Sequence, residues 1–226
     1  NFSWQGTFTA SNISGIRLAG TTASAYNVYY NSINLNGDNL NGNTGNIVAF
    51  DVTSASSIVN FLNNIVVNTS NTATSFGISI PTTTLLNSNY NDLYVPGAAA
   101  NVGSYNLVAA KTLANWQTAS GQDANSKSKN VNFVSSSNLH LTGSSIGDFE
   151  LAGTPLAGYT TDIDGETRNA NFPYKGADEN TSVPLPVELI SFSANLNGND
   201  VVLSWTTATE TNSLGFEIQK SLSGKN

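Results

Sequence analysis

Cysteine and methionine are absent from all 226 residues of this chain. Without thiols there are no disulfides, no thiolate metal sites and no cysteine nucleophile, and the redox compartment cannot be read from them. Charge is scarce too: charged residues make up 10% of the chain, against roughly 25% in an ordinary globular domain. Eight Lys and Arg against fifteen Asp and Glu leave a net charge of −7, which argues against nucleic acid or an anionic membrane as partner, because both need a basic surface. No apolar run approaches the ~20 residues that cross a bilayer, so membrane insertion is not expected. No basic-then-apolar leader and no Met open the chain at Asn1. The expectation is a fragment or processed chain lacking earlier coils.

Asn, Ser and Thr fill nearly two positions in five, and hydrophobic residues 39%. A chain so polar yet uncharged folds if its apolar side chains lie on strand interiors and its bends use Asn, Gly and Ser. The apolar residues do recur in that way. "YNSINL", "LNNIVV" and "YNDLYV" lie over one another at intervals of roughly 30 residues. Alternation within them predicts two inward columns, Ile33, Ile65, Leu93 and Leu35, Val67, Val95, with Asn34, Val66 and Tyr94 outward. About 15 to 17 residues ahead of each lies a second strand, in "GIRL", "AFDV" and "GISI". These add the columns Ile16, Phe50, Ile78 and Leu18, Val52, Ile80. Asn31, Asn63 and Asn91 align before their strands, where Asn tolerates a left-handed bend and stacked amides bond from rung to rung. The pattern is that of an all-β parallel solenoid over residues 1–180.

From Asn101 the spacing loosens. "KTLANWQTASGQDANS" predicts a short helix near 112–119, capped by Thr112, stopped before Gly121 and anchored to the coil by Trp116. "VNFV", "LHLTG" and "FELAG" read as further rungs. Pro184 and Pro186 mark a linker at 181–187. Beyond it, "ELISFSA", "VVLSWTT" and "GFEIQK" alternate as antiparallel strands of a sandwich do, with Trp205 placed as a core tryptophan. Residues 188–226 are too few for a complete sandwich of ~100 residues, so a truncated module is expected there.

The blocks "TDIDGETR…FPYKGADEN" and "PLPVELISFSANLNGNDVVLSWTTATETNSLGFEIQK" resemble a junction in large secreted proteins of Bacteroidetes. There a right-handed parallel β-helix of the pectin-lyase-like superfamily meets a fibronectin-type-III-like segment that precedes a type IX secretion sorting domain. "NYNDLYV" and "LANWQTASGQDANS" resemble the last coils of that family. The resemblance implies the right hand of the coil and a secreted or outer-cell-surface location. The matching blocks carry no catalytic motif.

Relatives of that fold include polysaccharide lyases and glycoside hydrolases, which need clustered carboxylates with Arg or Lys on one outward face. Here the outward acids of the aligned coils are Asp51 and Asp92, on different faces. An ion pair between neighbouring rungs accounts for Arg17 and Asp51 better than a catalytic pair does. His140, the single histidine, alternates with Leu139 and Leu141 and has no triad partner in the sequence. Asp162, Asp164 and Glu166 around Gly165 offer oxygens for Ca²⁺, although the spacing is not that of an EF-hand. A structural turn is the better account, with Arg168 paired to one of these acids and Asp178 or Glu179 nearby. Tyr30, Tyr90 and Tyr94 suggest rings that stack on sugars, in competition with ordinary strand-end packing. No other cofactor is indicated. The reading is therefore a monomeric, non-catalytic extracellular scaffold that displays a surface to polysaccharide or cell-surface glycan. Its alternative is the C-terminal part of a polysaccharide lyase or glycoside hydrolase with catalytic coils upstream.

Overall fold

The computed structural model describes residues 2–3, 12–20, 24–36, 43–53, 57–81, 84–181, 189–198, 200–207, 216 and 218. It is all-β, and the chain divides into two compact units, Asn1–Pro184 and Leu185–Asn226.

In the first unit the chain forms β1 (Phe2–Ser3), β2 (Ile13–Leu18), β3 (Ala25–Tyr29), β4 (Ser32–Leu35), β5 (Ile47–Val52), β6 (Ile58–Leu62), β7 (Ile65–Asn68), β8 (Ser75–Ile80), β9 (Leu85–Asn89), β10 (Asp92–Tyr94), β11 (Asn101–Tyr105) and β12 (Val108–Ala110). These build three sheets: A, in the order β1-β4-β7-β10; B, in the order β2-β5-β8-β11-β12; and C, in the order β3-β6-β9. Every pairing is parallel except β11 with β12. From β2 to β10 the chain visits B, C and A in constant rotation, three times. Each circuit is thus the crossover that a parallel pair requires. Sheet C is absent from the two-strand sequence reading. Its strands, such as "AYNVY" and "LLNSN", hide among the Asn and Tyr because only alternate side chains turn inward.

Sheet B pairs as its columns predict, Ile16 with Phe50 and Phe50 with Ile78. Sheet A corrects the expected register by one residue. Ile33 pairs with Val66, and Val66 with Leu93, so Val66 is the inward residue of β7. Ile65 stands opposite Ser32 and Asp92, and Val67 opposite Asn34 and Tyr94. The run "IVV" has no alternation to fix its phase. It is apolar throughout because sheet A is covered on both faces, the circumstance in which a parallel strand loses its pattern. Inside lies the main core, with Ile33, Leu35, Phe50, Phe61, Val66, Ile78 and Leu93. Outside, Ile65 and Val67 pack with Val131, Leu141, Leu151 and Tyr174 in a second core.

That second core overturns the expectation for "VNFV", "LHLTG" and "FELAG". None adds a rung. Among the described residues they contribute isolated bridges and a short 3₁₀ turn at Phe149–Leu151. Their apolar residues cover the outer face of sheet A instead.

The Asn column is likewise displaced by one. Oδ1 of Asn64, not Asn63, accepts from the backbone N–H and the side-chain amide of Asn31, at 2.9 and 3.0 Å. Asn64 in turn donates from backbone and side chain to Oδ1 of Asn91, at 2.9 and 3.1 Å. Asn91 donates to Oδ1 of Asp123 at 2.9 Å, which ends the ladder. Tyr30, Asn63 and Tyr90, each one residue earlier, hold the left-handed backbone with φ of 53°, 58° and 54°.

Helix α1 (Leu113–Ser120) forms as expected. The Thr112 side chain accepts from the Asn115 N–H, and Gly121, at φ 67°, closes the far end. Trp116 is fully buried, lies against Gly103 where a Cβ would collide with its ring, and donates from Nε1 to Asp123 at 2.8 Å. Helix and ladder therefore end on the same carboxylate.

The second unit contains an antiparallel hairpin, β13 (Leu189–Asn197) and β14 (Asp200–Thr207). Phe192 pairs with Trp205, Ala194 with Leu203 and Leu196 with Val201, which gathers one apolar face. Trp205 is half-buried, its ring meeting Phe216 edge-on at 5.4 Å. The Pro184–Pro186 linker and, apart from Phe216 and Ile218, the "GFEIQK" run lie outside the described residues.

Candidate functional site

The candidate site lies where the end of β3 meets the segment 159–179. Tyr30 is not an exposed platform. Its left-handed backbone turns the ring under Arg168, whose guanidinium carbon sits 4.0 Å from the ring centroid, and its hydroxyl donates to the Thr154 carbonyl at 2.9 Å. Burial pushes the Tyr30 hydroxyl pKa up, and Arg168 opposes the shift. Tyr29 meets Tyr159 edge-to-face at 5.2 Å. With Asp162, Ile163 and Ala177 these rings frame a pocket of about 250 Å³. Tyr159, 44% exposed, is the ring presented to solvent.

Arg168 holds the pocket wall. It pairs with Glu179 at 3.3 Å and donates to the carbonyls of Tyr174, Gly176 and Ala177. Its Nε is buried with no hydrogen bond. Burial lowers its pKa against the pull of Glu179, and burial raises that of Glu179 against bonds from the backbone and Arg168. Arg168 thus pairs with Glu179 and not, as expected, with Asp162, Asp164 or Glu166, because the side chain turns inward to the carbonyls of Tyr174, Gly176 and Ala177, where Glu179 lies.

Asp162 builds the following turn. Oδ1 accepts from the N–H groups of Asp164 and Glu166 at 3.0 and 2.8 Å, and Oδ2 from that of Glu179 at 2.9 Å. Gly165, at φ 84°, supplies the left-handed step. Two overlapping groups of ligand-type atoms arise here, His140, Asp164, Asp178 and Asp162, Glu166, Asp178, each within 4.8 Å. His140 Nε2 lies 2.6 Å from Asp164, and this hydrogen bond is the main cause that raises its pKa. Asp178 is buried, accepts from the Leu141 N–H at 2.7 Å, and has its pKa raised by burial. The donors that would hold Ca²⁺ are Asp162, Glu166 and Asp178, with Asp164 turned toward His140. Hard oxygens suit that ion, and Asp162 already accepts three backbone N–H groups that hold its turn.

Of the three tyrosines read as ligand-binding, only Tyr30 reaches this pocket. Tyr90 lines another, and Tyr94 is half-buried against the second core. Arg17 and Asp51 form the expected ion pair, at 3.6 Å, on the outward face of sheet B.

A group of buried charges escaped the sequence reading. Asp92, inaccessible on β10, accepts from the Lys129 N–H at 2.7 Å, while its Oδ2 has no hydrogen bond. Burial pushes its pKa up to about 7. Lys175, 1% exposed, donates to the Glu150 carbonyl at 2.7 Å, and burial brings its pKa down to about 8. Beside them Lys129 pairs with Glu150 at 2.6 Å and with Asp148 at 3.2 Å. The one signal in the sequence was Asp92 itself, a charge at the head of an apolar strand.

No protein family matches this chain, and neither does any curated protein or any solved structure.

Proposed function

We propose that the first unit is a right-handed parallel β-helix that serves, outside the cell, as a rigid non-catalytic scaffold contacting glycans. The second unit would be the start of a fibronectin-type-III-like module. The observation that carries this reading is what occupies the site's acids. Asp162 takes three backbone N–H groups, Asp178 takes one, and Glu179 takes Arg168. They are engaged in holding a wall, whereas catalysis by paired carboxyls needs acids committed to substrate. The half-exposed Tyr159 ring, set by Tyr29, offers a sugar a flat apolar surface beside hydrogen-bonding groups. The test is a glycan array together with cleavage assays on pectate and alginate, using the whole chain. Binding without cleavage is expected, and turnover at ordinary enzyme rates overturns the scaffold reading.

One observation favours a different enzymatic reading, with the site in these coils and not upstream of them. Arg17, Asp51, Ser79 and Phe76 line a groove of about 450 Å³ over sheet B, and burial raises the pKa of Asp51. Cleavage lost in Asp51→Asn would establish it.

A further inference from the structure

The three left-handed positions before the Asn ladder are not equivalent. Asn63 suits the conformation by residue type, and its amide is clamped to the backbone of Thr154 by bonds of 2.7 and 2.9 Å. Tyr30 has Arg168 over its ring and Thr154 on its hydroxyl. Tyr90 bears the same steric cost, φ 54°, with neither compensation. Among the described residues its hydroxyl makes no hydrogen bond and its ring no aromatic or cation contact.

The Tyr90 ring instead lines a pocket of about 370 Å³, with Phe149 and Phe172. Phe149 is 47% and Phe172 36% exposed, so all three rings are reachable. Asn125, Asn171 and Thr154 line the same pocket, and none of their side chains makes a hydrogen bond among the described residues. Aromatic faces interleaved with uncommitted amides and hydroxyls are what a sugar ring needs, apolar C–H faces on one side and hydroxyl partners at its edge. Of the lysines that line the pocket, Lys127 is 3.8 Å from Glu150, and Lys175, 1% exposed, donates to the Glu150 carbonyl at 2.7 Å. Among the described residues of the pocket, no exposed and unpaired cation faces an acidic ligand.

From this geometry we infer that the Tyr90–Phe149–Phe172 pocket binds one end of a neutral oligosaccharide. The inference rests on the glycan reading above and locates it at a second pocket, away from Tyr159.

Cello-, xylo-, manno- and malto-hexaose, with tri-galacturonate as the acidic control, are titrated into the isotopically labelled whole chain and followed by NMR. Tyr90→Asn installs the residue that the same position carries at 63, so the variant keeps its fold and loses only the ring. Phe172→Ala removes a rim ring. Each is expected to weaken binding of a neutral hexaose about tenfold, the worth of one stacked ring, while Leu85→Ala, on the exposed face of sheet C, leaves it unchanged. Weakening by Tyr159→Ala alone overturns this pocket and leaves the glycan reading standing. Preference for tri-galacturonate overturns the neutral class. A chain that binds none of these sugars overturns the pocket and the glycan contact together, and the scaffold reading then stands or falls on the cleavage assays.

Discussion

Replacing Asn64 by Ala removes the middle of the ladder and leaves a definite set of groups without partners. Asn64 is inaccessible. Its Oδ1 accepts two bonds from Asn31, and its Nδ2 donates to the carbonyls of Val28 and Leu62 and to Oδ1 of Asn91. The Asn64 backbone N–H to Asn91 survives the change. What is lost is the acceptor for the Asn31 N–H and the donor to the Val28 carbonyl, both in places water cannot easily reach. A buried polar group left unmade costs about 1–3 kcal/mol, so two give roughly 2–6 kcal/mol, a large part of a domain's stability. Sheet C supplies the control. Asn27, Asn60 and Asn87 form a similar amide ladder at 2.8 and 3.1 Å, but on an exposed face where water replaces any lost partner. Asn60→Ala is therefore expected to cost under about 1 kcal/mol. Urea unfolding of the two variants, with equal m-values, reads the difference directly. Equal losses, or a greater loss for Asn60→Ala, would refute both the register at Asn64 and the reasoning from burial.

Three further outcomes are expected. Gly165 and Gly176 both hold left-handed backbone, at φ 84° and 86°, but only a Cβ at Gly176 would strike Ile65 and Ser32, at 2.7 Å. Gly165→Ala should cost about 1 kcal/mol for conformation alone, and Gly176→Ala about 1–3 kcal/mol more for overpacking, read by thermal melting. Asp92 has its folded pKa raised above its ordinary value to about 7. The native state thus keeps a proton that the unfolded chain releases above about pH 4, and that stability is lost as pH rises toward 7. Asp92→Asn should gain on the wild type by about 2–3 kcal/mol between pH 4.5 and 6.5; a constant difference between the two melts would contradict the buried carboxyl. Finally, because Asp162 is held by backbone donors, neither EDTA nor millimolar Ca²⁺ should move the melting temperature, whereas a rise of several degrees with Ca²⁺ would assign an ion to Asp162, Glu166 and Asp178.

The parts of this fold legible in the sequence are those where one face of a strand is buried and the other wet. "GIRL", "AFDV" and "GISI" carry enough period to fix sheet B, and the helix announces itself through Thr112 and Gly121. The β7 strand was not legible in phase. Its second cover, from Val131, Leu141, Leu151 and Tyr174, arrives from residues 60 to 110 positions later, and no local pattern records that. The same lack of phase moved the Asn column to Asn63 from Asn64. In the site, the "TDIDGETR" turn was legible because Asp and Gly make turns by their own chemistry. The meeting of Tyr30 with Arg168 and Thr154 depends on how segment 126–180 crosses sheet A, as does the burial of Lys175. A lysine is ordinarily read as solvated.

Because the native chain has no cysteine, two introduced thiols report on each other alone. Asn27 pairs with Asn60, and Asn60 with Asn87, on the exposed face of sheet C. Adjacent parallel strands lie about 4.8 Å apart and strands two circuits apart about 10 Å, beyond the ~7 Å limit for a disulfide. Under mild oxidation, Asn27→Cys with Asn60→Cys, and Asn60→Cys with Asn87→Cys, should cross-link within one chain, and Asn27→Cys with Asn87→Cys should not. Cross-linking of the 27–87 pair in preference to the two neighbouring pairs would contradict the stacked parallel circuits.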